Sequence, residues 1–427
     1  MKKEIPRTVC VIGLGYIGLP TAAVLAGAGY TIEGVEIRED VRQTINHGDV
    51  HIVEPGLNLL VEQAVTSGRL HVFAKPQPAD AFIICVPTPF LKSKLADLRA
   101  VKKATQSIVP VLEKENLVIL ESTVPPGTTT NIVKPILEKS GLKAGRDFYL
   151  AHCPERVMPG RIMKEIIENA RIVGGIDRHS ALLARQLYAS FVKGKILLTD
   201  ATTAEMTKLT ENTYRDVNVA FANELSRICH KLGINVWEVI SYANEHPRVN
   251  ILKPGPGVGG HCIAVDPWFI VSAAPEEAKL VKVARQVNDS MPDFVVQRVL
   301  EIVKDIKKPV VAVLGLTYKA DVDDIRESPA LAIAHKLNQA KRVIIRVCDP
   351  YVKKYTGLKM FSLRDAIGGA DCVVLLVDHR QFREAKWSRL YATMRHTRVV
   401  DTRGILPATT NVIGMGLPRR SAPRNDK

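Results

Sequence analysis

Short, unbroken apolar runs open the chain and return near its end. Arg7–Ile12 (RTVCVI) is β-branched and apolar, the pattern of a strand buried on both faces. A glycine-rich turn follows, then Leu19–Ala28 reads as a helix and Tyr30–Ile37 (YTIEGVEI) as a second strand. Ala81–Val86 and Leu117–Leu120 are further strands. The first runs into Pro87-Thr88-Pro89, the second into Glu121-Ser122-Thr123-Val124-Pro125-Pro126-Gly127. The period then changes. Asp200–Leu232 predicts one long helix, with Thr202 and Glu205 at capping-box spacing and Gly233 suited to end it. Lys208, Asn212 and Arg215 share one face, while Met206, Leu209, Val217 and Phe221 take other sides. Such a polar triplet is more often a solvated stripe than a site. Helical patterns continue through Trp237–Ile240 and up to about Met291.

The strand pattern then repeats. Lys308–Leu316 (KPVVAVLGL) echoes Arg7–Leu14 (RTVCVIGL), and Ala370–His379 (ADCVVLLVDH) echoes Ala79–Thr88 (ADAFIICVPT). Between them, Val343–Cys348 reads as a strand ending in Asp349-Pro350. These patterns predict an α/β chain: two Rossmann-like doubly wound domains joined by a central helical domain with a long helix. The expected boundaries are 1–198, 199–295 and 296–415, with a disordered basic tail at 416–427.

In the first copy, Gly13, Gly15 and Gly18 form GxGxxG between a strand and a helix. That spacing serves a tight turn, a pyrophosphate approaching backbone N–H groups, and helix-on-strand packing. Glu36 stands where a carboxylate takes ribose hydroxyls, with Glu33 as the competing acid. An acid there favours NAD over NADP. In the second copy Thr317 and Lys319 stand where the phosphate loop needs glycine, so this half is not expected to hold a dinucleotide.

The chain has 427 residues, enough for two or three domains, and its 46% hydrophobic and 24% charged content is globular. A net charge of +15 raises the question of nucleic acid. Lys and Arg are scattered, however, and aromatics are only 5%, so anionic small ligands fit at least as well and no nucleic-acid partner is expected. No apolar run is long enough to span a bilayer, and no membrane insertion is expected. Seven cysteines without a disulfide spacing indicate a reducing, cytoplasmic setting, and no metal-site spacing occurs. Cys10, Cys85, Cys348 and Cys372 fall in or beside apolar strands and read as inert.

One stretch fits no ordinary element: Lys253-Pro254-Gly255-Pro256-Gly257-Val258-Gly259-Gly260-His261-Cys262, then Asp266-Pro267. Such glycine density lets backbone pass close to a ligand and leaves Cys262 at the lip of a loop. Taken alone, a mobile turn ending in a small hydrophobe is the better reading, by roughly two to one.

These segments together resemble the nucleotide-sugar 6-dehydrogenases, the family that oxidises UDP-glucose, GDP-mannose and UDP-N-acetylhexosamines. The likeness rests on GLGYIGLP, ESTVPPGTT, CPER, EMTKLTENTYRDVNVAFANEL, PGPGVGGHCIAVDP and YKADVDDIRESPA. HPRVNILKPGPGVGGHC is similar to the branch that acts on UDP-N-acetyl-D-mannosamine. The resemblance implies NAD-dependent four-electron oxidation of the sugar C6 alcohol, through a thiohemiacetal and a thioester on Cys262, for surface polysaccharide synthesis. It implies that Lys208 and Asn212 hold the oxyanion and move protons. Asp266 and Thr123 would hold water, and Glu155 would act as the hydrolytic base. For NAD it points to Tyr16, Ile17, Glu36, Thr88, Thr123 and Arg326. For the UDP-sugar it points to Arg156, Val157, Lys208, Asn212, Arg215, His246, Arg248, Gly259, Tyr318 and Lys319. A homodimer formed through the long helix is also implied. UDP-N-acetylglucosamine and UDP-glucose are the alternative substrates. A two-electron hydroxy-acid dehydrogenase or a non-catalytic nucleotide-binding regulator would have no use for Cys262.

Overall fold

The structure, a computed structural model, describes residues 7–91, 93–260, 262–407 and 412–414. The chain divides into two compact units. One takes the chain up to Glu211 together with Trp268–Pro275; the other takes Asn212–Pro267 and the chain from Glu276 onward.

The first unit is built on eight strands: β1 (Thr8–Ile12), β2 (Thr31–Val35), β3 (Leu70–Phe73), β4 (Ala81–Ile84), β5 (Leu117–Leu120), β6 (Tyr149–His152), β7 (Arg171–Gly175) and β8 (Ile196–Asp200). Their order is β3-β2-β1-β4-β5-β6-β7-β8, with every pair parallel except β6–β7. Alternate residues of β1 enter different cores. Val9 and Val11 pack with Ile32 and Leu19, whereas Cys10 and Ile12 pack with Phe82 and Ile84. Burial on both faces is why this strand lacks polar alternation. The order reverses between β1 and β4, and such a switch point opens a crevice at the carboxyl ends of the strands.

The second unit carries β9 (Val310–Leu314), β10 (Ile344–Cys348), β11 (Cys372–Leu375), β12 (Arg398–Asp401) and β13 (Val412–Gly414). This sheet is wholly parallel, in the order β10-β9-β11-β12-β13. The repeat extends to single hydrogen bonds. Gly13 N donates to Val35 O at 2.8 Å, and Gly315 N to Cys348 O at 2.8 Å. Leu14 N donates to Glu36, and Leu316 N to Asp349. Both glycines are left-handed, at φ +90° and +96°. At the opposite end Asp80 accepts from Thr8 N, and Asp371 from Val310 N.

This register corrects one expectation. Counted from Gly315, the residue in the place of Gly18 is Ala320, one past Lys319; Thr317 does replace Gly15. Asp349, the counterpart of Glu36, is buried and lies 3.2 Å from His379 Nε2. Its carboxylate is consumed inside the fold rather than offered to a ribose.

The long helix, Ala201–Leu232, has nearly the expected span but a different start. Asp200 caps it, accepting from Thr203 N at 2.9 Å and from the Thr203 hydroxyl. Thr202 and Glu205 do not form the expected capping box. Glu205 is buried and turns to the segment after β5, accepting from Gly127 N (2.5 Å), Thr129 N (2.7 Å) and Thr129 Oγ1 (2.6 Å). At the far end Gly233 is left-handed, and Ile234 N donates to Cys229 O, the expected Schellman-type stop. Among the described residues no helix is long and apolar enough to cross a membrane.

Candidate active site

In the first unit the three glycines of the phosphate loop have different causes. Gly13 needs its positive φ, and a Cβ there would lie 2.8 Å from Cys85 O. A Cβ on Gly18 would run into the Gly13 carbonyl, so the helix Gly18–Gly27 packs this closely only without one. Around Gly15 nothing lies within 4 Å of an added Cβ. No protein contact demands glycine there, which fits a backbone kept clear for an incoming pyrophosphate. Glu36 lies one residue past the carboxyl end of β2, accepting from Leu14 N at 3.4 Å and Arg38 N at 3.0 Å. Glu33 is inside β2, opposite Cys10 and His71, and burial pushes its carboxyl up. Of the two acids, only Glu36 borders the phosphate loop.

The turns after β4 and β5 are tied together. Thr88 Oγ1 donates to Thr123 O at 2.6 Å, and Ser122 Oγ to Val86 O at 2.7 Å. Tyr16 is exposed beside the phosphate loop and Ile17 is half-buried. Glu155 follows β6 and is doubly engaged: Arg171 donates to it at 2.9 Å, and Arg156 N at 2.6 Å. Arg171 is itself buried against the Tyr188 ring and also reaches Glu121. Four donors converge on Glu121, from Thr21, Cys85, Arg171 and Tyr188. Arg156 faces Glu211 on the long helix, with Nε to Oε2 at 3.1 Å and NH2 to Oε1 at 2.5 Å. Val157 and Lys208 are half-buried. None of the network through Glu121, Arg171 and Tyr188 was anticipated from sequence. Arg171 and Tyr188 lie 50 and 67 positions from Glu121 in the chain.

The second unit holds the glycine loop. Gly259 and Gly260 are required by protein contacts. A Cβ on Gly259 would lie 2.5 Å from Glu327 O and 2.8 Å from Tyr318 Cβ; one on Gly260 would meet the Tyr318 ring at 2.9 Å. Gly260 N donates to Arg326 O. The loop is therefore seated on the segment after β9, where Glu327 holds a strained φ of +49°. The glycines let backbone approach protein as well as any ligand. Arg403 was also missed: its guanidinium is 2.7 Å from where a Gly255 Cβ would be.

All seven cysteines are described, and Cys262 alone is exposed. Cys10, Cys348 and Cys372 are buried, and burial raises each thiol to about 12. Cys85 is half-buried as a residue, yet burial pushes its thiol up strongly, with Glu121 beside it adding to the shift. Cys262 O accepts from Asp266 N at 2.8 Å and Val265 N at 3.0 Å. The thiol residue thus opens the turn that becomes the helix Asp266–Ala273. A helix amino terminus favours thiolate. Asp266 is 3% exposed and accepts from Asn212 Nδ2 at 2.6 Å. Tyr318 has its hydroxyl proton held more tightly than usual by burial, with Asp324 and Cys262 adding to that and Arg326 opposing it.

Cys262, Asp266, Asn212, Gly259, Tyr318 and Arg326 are thus linked through one loop and its supports. Lys319 and Arg215 are exposed. His246 and Arg248 stand exposed on a separate turn, which Asn244 closes through both bonds to Ile251.

Sequence profiles of the UDP-glucose/GDP-mannose dehydrogenase family match the chain three times: the NAD binding domain at residues 7–192, the central domain at 202–290 and the UDP binding domain at 312–408. The chain belongs to this family. It is an NAD-dependent dehydrogenase of nucleotide sugars. A UDP-N-acetyl-D-mannosamine dehydrogenase from Campylobacter jejuni is 51% identical over 393 residues, covering 88% of this chain and 97% of its own. An NDP-N-acetyl-D-galactosaminuronic acid dehydrogenase from Ralstonia solanacearum is 49% identical over 413 residues, with 94% and 97% covered. The solved UDP-D-ManNAc dehydrogenase of Pyrococcus horikoshii superposes with a TM-score of 0.89 at 43% identity, covering 96% of this chain and 99% of that one.

Proposed function

We propose that the protein oxidises the C6 hydroxyl of UDP-N-acetyl-D-mannosamine to the carboxylate, with Cys262 as the covalent nucleophile. The observation that carries this reading is the single exposed thiol, set at the start of a helix whose first residue, Asp266, is buried and held by Asn212. A two-electron alcohol dehydrogenase needs no such thiol. NAD supplies the hydride acceptor, twice per sugar.

The chain's own residues supply the rest. Lys208 takes the hydroxyl proton as the first hydride leaves C6, giving the aldehyde. The Cys262 thiolate adds to that carbon, and the new C–S bond makes a thiohemiacetal whose oxygen Lys208 and Asn212 stabilise. Loss of the second hydride from the same carbon gives the thioester. Water then attacks and the C–S bond breaks; one water proton passes to the base, the second to solvent as the acid ionises, and the carboxylate and thiolate remain. Asp266 and Thr123 orient that water. Glu155 is assigned its proton, although both its oxygens already accept hydrogen bonds.

For NAD, Gly13, Gly15, Tyr16, Ile17, Gly18, Glu36, Thr88, Thr123 and Arg326 form the binding set. Arg156, Val157, Arg215, His246, Arg248, Gly259, Tyr318 and Lys319 serve the UDP-sugar. The product feeds an acidic surface polysaccharide, and the protein works in the cytoplasm as a homodimer. An exposed apolar stripe on the long helix supports the dimer, with Tyr214, Phe221 and Ile228 each seven residues apart.

The Campylobacter relative favours the manno sugar, and the Ralstonia relative favours a galacto reading of the same site. The test offers purified protein UDP-N-acetyl-D-mannosamine, UDP-N-acetyl-D-galactosamine, UDP-N-acetylglucosamine and UDP-glucose with NAD. The manno sugar is expected to give the highest kcat/KM. A higher value for any of the others overturns the substrate while leaving the covalent mechanism intact.

A further inference from the structure

The amino-terminal end of the glycine loop is held by a buried chain of polar side chains. Gly255 N donates to Asn223 Oδ1 at 2.8 Å. Asn223 Nδ2 donates to Asn288 Oδ1 at 2.8 Å, and Asn288 Nδ2 to Asp216 Oδ1 at 2.8 Å and Asp216 O at 3.0 Å. Arg285 NH1 completes the chain on Asp216 Oδ1 at 2.5 Å. All four side chains lie in the second unit, at 0–1% exposure. Asp216 and Asn223 come from the long helix, Arg285 and Asn288 from the helix Lys279–Ile302.

From the Gly255 amide through Asn223 and Asn288 every donor points towards the Asp216 carboxylate, which Arg285 meets from the other side. Such a sequence polarises along its length and strengthens each bond. Holding two helices together does not require it, since apolar side chains do that at no desolvation cost. What apolar residues would not supply is a fixed acceptor for the Gly255 amide. The backbone of Asn288 also packs on the loop: its main-chain carbonyl oxygen would be 3.1 Å from a Cβ on Gly257. Pro329 closes the same glycine from another side at 3.0 Å.

We propose that Asn223 is a positioning residue for the glycine loop, braced by Asn288 and the Asp216–Arg285 pair, and that it acts on the reaction only by fixing the backbone that leads to Cys262. The inference rests on the reading of this loop as the carrier of the catalytic thiol. Asn288 works through Asn223, so the two effects do not multiply.

The test compares the wild type with Asn223→Leu, Asn288→Leu, the double variant and the milder Asn223→Ser. Each is assayed with UDP-N-acetyl-D-mannosamine and NAD, and melting temperature and the rate of iodoacetamide labelling at Cys262 are measured. A loop displaced by about an ångström costs on the order of a hundredfold. Asn223→Leu is expected to lose about that much in kcat/KM for the sugar while KM for NAD stays within about twofold. The double variant should be no slower than Asn223→Leu alone, and Cys262 labelling should change by about threefold or more. Asn223→Ser reports the same split if the leucine variant does not fold. Parental kcat/KM in both Asn223 variants, multiplied losses in the double variant, or equal losses in sugar and NAD kinetics each overturn the proposal. Should Cys262→Ala still yield two NADH per sugar, the thiol reading falls. Iodoacetamide labelling would still report whether Asn223 anchors the loop.

Discussion

Among single residues, exposure sorts the cysteines. Cys262→Ala should abolish acid formation while NAD binding, measured by titration, survives. Iodoacetamide should label Cys262 well before Cys10, Cys85, Cys348 or Cys372, whose thiols burial pushes up. His152 offers a separate test of the fold. It is fully buried at the end of β6, and burial lowers it to about 3 against a weaker opposing pull from the Leu120 backbone. The unfolded chain takes up this proton below its ordinary value of 6.5; the folded chain does so only near 3. Stability is therefore lost as pH falls through that window. Between pH 7 and pH 5, His152→Phe should lose about 2 kcal/mol less than the wild type in urea unfolding, from about 1.4 kcal/mol per pH unit. Equal slopes would contradict the buried neutral histidine.

For whole elements, β1, β4, β5, β9 and β11 were legible because burial on both faces leaves nearly uninterrupted apolar runs. β2 and β10 also fall within stretches read as strands although they carry Glu33 and Arg346, whereas β3, β6, β7, β8, β12 and β13 were not read as strands. The stop of the long helix was legible from Gly233, whereas its start was misread. Thr202 and Glu205 have capping-box spacing, but Asp200 takes the cap and Glu205 is drawn to Gly127 and Thr129. A local rule lost to a tertiary partner 76 positions away. The positioning chain was hidden for the same reason. Asp216 and Asn223 did leave a trace, as polar residues seven apart on the buried stripe that includes Leu209. The phosphate loop gives a sharper prediction. Gly18→Ala should lower the melting temperature because its Cβ has no room, whereas Gly15→Ala should fold normally and raise KM for NAD about tenfold. Equal effects of the two substitutions would remove the distinction. Lys208→Ala should lower kcat by on the order of a hundredfold; wild-type turnover would return Lys208 to a solvated stripe.

The whole molecule joins two versions of one nucleotide-binding plan. They share the left-handed glycine after the first strand and the acid after the second. They diverge where Asp349 is closed off by His379 while Glu36 stays beside an open phosphate loop. That divergence fits a division between a cofactor half and a sugar-nucleotide half, as the matches to NAD binding and UDP binding domains indicate. The exposed stripe of Tyr214, Phe221 and Ile228 belongs to this scale as well. If the proposed homodimer forms through this stripe, Phe221→Glu should shift it towards monomer by sedimentation; a dimer unchanged by the substitution would place the interface elsewhere. The central claim is a four-electron oxidation passing through one thiol. It is tested most directly by counting NADH formed per UDP-N-acetyl-D-mannosamine consumed when the sugar is limiting. The account predicts two NADH per sugar in the wild type and no uronate from Cys262→Ala. One NADH per sugar in the wild type, or two in Cys262→Ala, would contradict it.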